Sequence, residues 1–119
     1  MAGEFAHIEI PTANTAEARE FWGGLFGWRF DQIPGPFEYH MTRIGDRQGA
    51  AITASHPEDR GTRTYFFVED IQASVARVRE LGGRADDPAP VPGMGWFATC
   101  EDPHGNAFGL WKADPSVAS

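Results

Sequence analysis

The chain has 119 residues, 41% of them hydrophobic and 23% charged, with 17 acidic against 10 basic side chains for a formal net charge of -7. That length and apolar fraction suit one folded domain with one compact core and exclude an extended disordered chain. The acidic balance argues against a nucleic-acid partner, and no apolar run nears the roughly 20 residues of a membrane span. A lone cysteine, Cys100, excludes an intrachain disulfide and a four-thiolate metal site. With no basic and apolar leader at the N-terminus, the expectation is a soluble, cytoplasmic protein.

The first predicted element is a strand over residues 5–10, where Ala6, Ile8 and Ile10 alternate with Phe5, His7 and Glu9. Asn14 is placed to cap a helix over residues 15–26, with Glu17 at the capping-box position and Ala18, Phe21, Trp22, Leu25 and Phe26 on one stripe. Gly23 and Gly24 inside that helix each cost up to about 1 kcal/mol relative to Ala, so its last turn is either tightly packed or loose. Gly27 ends it. Strands are then predicted over residues 28–32, 37–44 and 49–54. The second half begins with a strand over 64–68, followed by a helix capped by Asp70 that turns Ile71, Val75, Val78 and Leu81 to the core. Gly82 and Gly83 stop that helix. Strands follow near 84–86, 96–101 and 107–111, the last two joined by the turn Asp102-Pro103-His104-Gly105-Asn106.

The two halves repeat. Sliding the sequence by 56 residues superposes Leu25 on Leu81, Gly27 on Gly83, Asp31 on Asp87, Pro34 on Pro90, Pro36 on Pro92, Asp46 on Asp102, Gly49 on Gly105 and Ala51 on Ala107. Most of these matches fall at turns and element ends, where glycine and proline have fixed mechanical roles. The predicted fold is therefore α+β: two tandem βαβββ modules within one domain of residues 1–119. Module one covers about residues 5–54, a linker 55–62, module two about 63–112 and a tail 113–119. One helix covers one face of a four-stranded sheet, so the other face needs the second sheet, a partner chain or a ligand.

A paired βαβββ module of this size resembles the vicinal oxygen chelate superfamily, which holds glyoxalase I, extradiol dioxygenases, and the bleomycin and fosfomycin resistance proteins. His7-Ile8-Glu9-Ile10-Pro11, leading to Phe21-Trp22-Gly23-Gly24-Leu25-Phe26-Gly27-Trp28, looks like its opening strand and helix. Residues 91–98 and 102–111 look like the C-terminal half of a bacterial glyoxalase-like subgroup. The resemblance covers about residues 5–112 and implies cupped mixed sheets with the helices outside. It is specific for fold and weak for reaction, because one scaffold hosts isomerases, dioxygenases, transferases and drug-binding proteins. It also implies metal positions at His7, Thr53, Arg63 and Gly109. Only His7 is a ligand, and one imidazole beside a guanidinium offers neither the donors nor the charge that a divalent ion needs. No cofactor and no metal site are expected.

The remaining candidates are read against that cup. His7 is either a ligand-contacting, proton-transferring imidazole or a relic held by a local hydrogen bond. Glu9, on the same strand face, either pairs with His7 for acid-base chemistry or forms an ion pair with Arg63. His40 is a cavity wall or a surface residue, His56 a solvated linker residue and His104 a turn residue. Cys100 reads as a buried thiol. Ligand contacts are expected from His7, Tyr39, His40, Met41, Arg63, Tyr65, Phe67, Met94, Trp96 and Phe108, an aromatic-rich lining suited to an apolar or planar small molecule. Three functions fit: a homodimeric small-molecule binder acting as a metal-independent isomerase or lyase, a sequestering protein like the bleomycin-binding members, and a metal-dependent glyoxalase I or dioxygenase. For the second, Glu4, Glu9, Glu17, Glu20 and Asp31 begin an acidity that is spread along the chain rather than gathered in a groove.

Overall fold

A computed structural model describes residues 3–55 and 61–118. His56 and most of the expected linker lie outside the described residues. The elements run β1 (Phe5–Thr12), α1 (Thr15–Phe26), β2 (Asp31–Gln32), β3 (Tyr39–Arg43), β4 (Gly49–Ala54), β5 (Arg63–Phe67), α2 (Ile71–Glu80), β6 (Arg84–Ala85), β7 (Ala89–Val91), β8 (Gly95–Glu101) and β9 (Ala107–Ala113). This is the βαβββ order twice, with β7 as an extra strand in the second copy. The described residues divide into two compact units, one between His7 and Arg63, the other from Thr64 onward together with residues 3–6.

In the first unit the strand order is β2-β3-β4-β1, and β1 pairs β4 in parallel with His7 opposite Gly49, Glu9 opposite Ala51 and Pro11 opposite Thr53. β3 pairs β4 antiparallel, placing Tyr39 opposite Thr53 and Met41 opposite Ala51. Asn14 caps α1 as its residue type demands: its side chain accepts the Glu17 N–H at 3.0 Å. The double glycine proves tight at one position only. A Cβ on Gly23 would meet the Trp28 carbonyl oxygen at 3.0 Å, whereas Gly24 faces open space. Gly27 takes φ 74°, its N–H bonds back to the Gly23 carbonyl at 2.7 Å, and the chain returns so that Trp28 stacks on Trp22, 5.8 Å between centroids. The predicted strand 28–32 shortens to β2 because Trp28 packs its ring on this turn, with Phe30 against it, instead of joining the ladder.

In the second unit the order is β5-β9-β8-β6, with β7 also paired to β8. It repeats the first arrangement, since β5 and β9 are parallel and β8 and β9 antiparallel. Residues 3–6 lie against β5, with Gly3 donating to the Phe67 carbonyl at 3.1 Å and Phe67 donating to Glu4 at 2.8 Å. α2 drives Ile71 and Val75 into a core with Ala98, Cys100 and Leu110, so Cys100 is the buried thiol expected. By contrast α1 buries no residue and leaves Phe21, Leu25 and Phe26 more than half exposed. The 102–106 turn is held by Asp102, whose carboxylate accepts the His104 and Asn106 N–H groups, each at 2.9 Å. The segment after β9 is tied down, with Asp114 donating to Met94 at 2.8 Å and Gly93 donating to Val117 at 2.9 Å.

Two glycines give opposite predictions. A Cβ on Gly95 would lie 2.1 Å from the Lys112 carbonyl oxygen, so Gly95→Ala is expected to cost about 1–3 kcal/mol in urea unfolding. Gly24→Ala meets nothing within 4 Å in a helix interior and is expected to stabilise by about 0.5–1 kcal/mol in the same assay.

Candidate functional site

Strand alternation sorts the candidates. In the first unit His7, Glu9, Tyr39 and Met41 share one face with Gly49, Ala51 and Thr53, as the strand registers require. A Cβ built on Gly49 would lie 3.5 Å from His7 Nδ1 and 3.9 Å from Met41 Cε, so both side chains lean over that glycine. With only Gly49 and Ala51 between them, side chains from β1 and β3 reach across β4. The His7 Nε2 and Tyr39 hydroxyl are 2.5 Å apart, and the Tyr39 hydroxyl lies 3.3 Å from a Glu9 carboxylate oxygen, to which it donates. The two rings are near parallel, at 14° with centroids 6.0 Å apart. Burial pulls the His7 imidazole down from 6.5 to about 4, so it is neutral at neutral pH. The face therefore carries a neutral imidazole, a phenol and a carboxylate in one hydrogen-bonded chain.

His40 does not join it. Tyr39 and Met41 take one face of β3, so His40 takes the other and is 4% exposed, neither cavity wall beside Tyr39 nor surface residue. Its Nε2 bonds a Glu38 carboxylate oxygen at 2.8 Å, and the same oxygen accepts the Thr15 hydroxyl from the first turn of α1 at 2.6 Å. The His40 ring, and after it the Thr15 hydroxyl, hold the Glu38 carboxyl below its ordinary value. Glu38 was given no role in the sequence reading, although it falls in the predicted strand 37–44; in the structure it lies just before β3. Arg63, at the start of β5, is half-buried.

In the second unit Tyr65 and Phe67 share the face that α2 does not cover, with Phe97 and Trp111 brought beside them by the β5–β9 and β8–β9 registers. Tyr65 meets Phe97 edge to face, at 6.5 Å and 70°. Trp96 and Phe108 lie on the opposite face and pack against the α2 core, which removes them from this aromatic group. Met94 sits in the turn before β8, 47% exposed. Phe97 was the residue missed, although its alternation with Trp96 carries the signal.

The positions that the resemblance assigns to metal do not fit a divalent ion. Thr53 and Gly109 bring no carboxylate and Arg63 brings a positive charge. A Cβ on Gly109 would fall 2.2 Å from the Tyr65 ring, so that ring takes the volume a side chain at 109 would need. Among the described residues, no group of three or more His, Cys, Asp or Glu side chains gathers into a metal-holding cluster.

Two open-faced βαβββ modules define a protein of the glyoxalase fold. The match to the glyoxalase-like domain model, over residues 7–111, makes the chain a member of that family. Among sequence relatives, the candidate glyoxylase CFP32 of Mycobacterium tuberculosis is 29% identical over 94% of this chain and 46% of its own length. The anthracycline biosynthesis protein DnrV of Streptomyces peucetius is 28% identical over 92% of this chain and 47% of its own. The chain thus spans less than half the length of these two relatives. Among solved structures, a methylmalonyl-CoA epimerase in complex with methylmalonyl-CoA and NH4+ superposes with a TM-score of 0.78 over 100% of both chains at 17% identity. That likeness is one of fold. Among the described residues no helix is long and apolar enough to cross a membrane.

Two predictions follow from this geometry. Because folding lowers the His7 value from 6.5 to about 4, the unfolded chain binds more protons between those limits, and stability falls as pH drops through that window. The loss amounts to up to about 3 kcal/mol in urea unfolding, and His7→Gln should flatten that part of the curve. Elemental analysis of purified protein is expected to find well under one equivalent of Ni, Zn, Fe or Mn per chain, with a melting temperature unchanged by EDTA.

Proposed function

We propose that this domain binds a small organic molecule at the helix-free faces of its modules and transfers a proton to or from it without a metal, as an isomerase or lyase of the glyoxalase-like kind. The observation that carries the reading is the His7, Tyr39 and Glu9 chain, which places a neutral imidazole and a carboxylate, the usual acid-base pair, on either side of one phenol. Ligand contact falls to His7, Tyr39 and Met41 in the first unit and to Tyr65 and Phe67, with Phe97 and Trp111, in the second. Such rings favour a planar or apolar body. Methylmalonyl-CoA, bound by the epimerase that shares this fold, is a carbon acid whose proton lies beside a carbonyl, the kind of proton this chain of groups could move.

Pairing with a second copy accompanies the reading. α1 leaves Phe21 62%, Leu25 58% and Phe26 56% exposed, an apolar face that association would cover. Sedimentation as a dimer at micromolar concentration is the expected result, and a monomer across the whole range would remove this element.

The functional test follows carbon-bound proton exchange in D2O by NMR, using EDTA-treated protein with methylmalonyl-CoA and with the hemithioacetal of methylglyoxal and glutathione. Exchange of at least one of these is expected, falling about 10²-fold or more in His7→Ala and Glu9→Ala. Exchange that appears only on adding a divalent metal, or that persists undiminished in both variants, would overturn the metal-free assignment.

A further inference from the structure

We infer that Arg43 selects the substrate of the first unit: the small molecule proposed above carries a carboxylate, and the Arg43 guanidinium holds it beside the His7 ring. This deepens the metal-free reading, on which it rests, and it starts from the strand registers. Arg43 lies opposite Gly49 across the β3–β4 pair, and Gly49 lies opposite His7 across the β4–β1 pair. Opposed residues point to one side of a sheet, so the three form a row on the helix-free face, spanning two strand spacings or about 10 Å. Gly49 brings no side chain to the middle of that row. The His7 ring and the Met41 methyl group lie low over it, 3.5 and 3.9 Å from where a Cβ would stand. A molecule resting beside that ring is thus flanked by the long side chain at the other end of the row.

The guanidinium is exposed, and among the described residues its one polar contact runs from Nη2 to the Asp46 carbonyl oxygen, at 3.0 Å. That bond ties the group to the β3–β4 turn and leaves most of its donors uncommitted. An arginine side chain is a permanent cation whose planar fork matches a carboxylate with two parallel hydrogen bonds. The acidic side chains of this face stand in the neighbouring row, Glu9 opposite Ala51 and Asp31 opposite Met41, about 7 Å along the strands. Neither forms an ion pair with Arg43. A chain of net charge -7 has no general attraction for anions, so an anionic substrate must be recognised by a local cation such as this one. One guanidinium balances one carboxylate, whereas a phosphate dianion would leave excess negative charge on an already acidic protein. Bound in this way, the carboxylate fixes one end of the substrate and leaves the adjoining carbon toward the His7 ring.

The test titrates the 15N-labelled full-length chain with methylmalonate, benzoate, their neutral amides and inorganic phosphate, and follows the arginine Nε–H and backbone signals. The Arg43 Nε–H signal, assigned by its loss in Arg43→Gln, is expected to shift with both carboxylates, together with the Gly49 amide. The amides are expected to bind about 10-fold or more weakly, as loss of a charge-assisted hydrogen bond implies. Arg43→Gln should erase that difference, and Arg43→Lys, which keeps the charge but not the fork, should retain part of it. The lysine variant also keeps the comparison available should Arg43→Gln fail to fold. Equal binding of benzoate and benzamide, a preference that survives in Arg43→Gln, or phosphate binding tighter than the carboxylates overturns the assignment. Carboxylate binding at Arg43 without exchange of carbon-bound protons would remove the proposed reaction and leave this recognition standing. Exchange of methylmalonyl-CoA with an unchanged KM in Arg43→Gln would do the reverse.

Discussion

Each unit is closed by a parallel pairing of its first and last strands, and most of what the molecule presents depends on that ladder. Parallel partners cannot be joined by a tight turn, so the helix and the intervening strands, two in the first unit and three in the second, are spent on the crossover. In return, the first strand lies beside the last and its rings face whatever small residues the last strand provides. His7 lies opposite Gly49 and Tyr65 opposite Gly109. The same device is used at different heights: in one unit it leaves room for a polar chain of groups, and in the other it lets a ring settle onto the sheet.

The two helices show how differently two copies of one plan can be used. α2 inserts Ile71 and Val75 over Ala98, Cys100 and Leu110, an aliphatic contact that closes one sheet face. α1 has Gly23 where it meets the Trp28 carbonyl, and its aromatic residues gather around Trp22 and Trp28 at the C-terminal end. One polar tie links α1 to β3 in the first unit. The Glu38 carboxylate accepts from Thr15 at the start of α1 while it bonds the buried His40 on β3. A buried imidazole needs a partner, and placing that partner at the helix start satisfies two groups together.

Most of the fold was legible because its signals are local. Asn14 and Asp70 announce the two helices, Gly27 ends the first, and the Asp102 to Asn106 turn reads from residue types alone. β7 was not legible, because Ala89-Pro90-Val91 has a proline at its centre and joins only as an edge partner of β8. The site was half legible. Listing Tyr39, His40 and Met41 together ignored an alternation that the sequence itself displays, and the same rule separates Trp96 from Phe97. What no sequence pattern carries is reach: His7 and Tyr39 stand two strands and several register positions apart, and they meet only because Gly49 and Ala51 leave nothing between them.

The metal positions and the hydrogen-bonded chain are two aspects of one constraint. A divalent ion requires several lone pairs aimed at a single point. On the helix-free face of the first unit, the point at which His7 and Glu9 both aim an atom is the Tyr39 oxygen, 2.5 Å from one and 3.3 Å from the other. A phenol at the point of convergence changes the chemistry available. It offers no Lewis acidity to polarise a carbonyl; its hydroxyl donates to the Glu9 carboxylate and meets the His7 ring. Burial that keeps His7 neutral suits such a chain, because an imidazolium would be costly there. In the second unit the Tyr65 ring over Gly109 takes the volume that a side chain at that position would need.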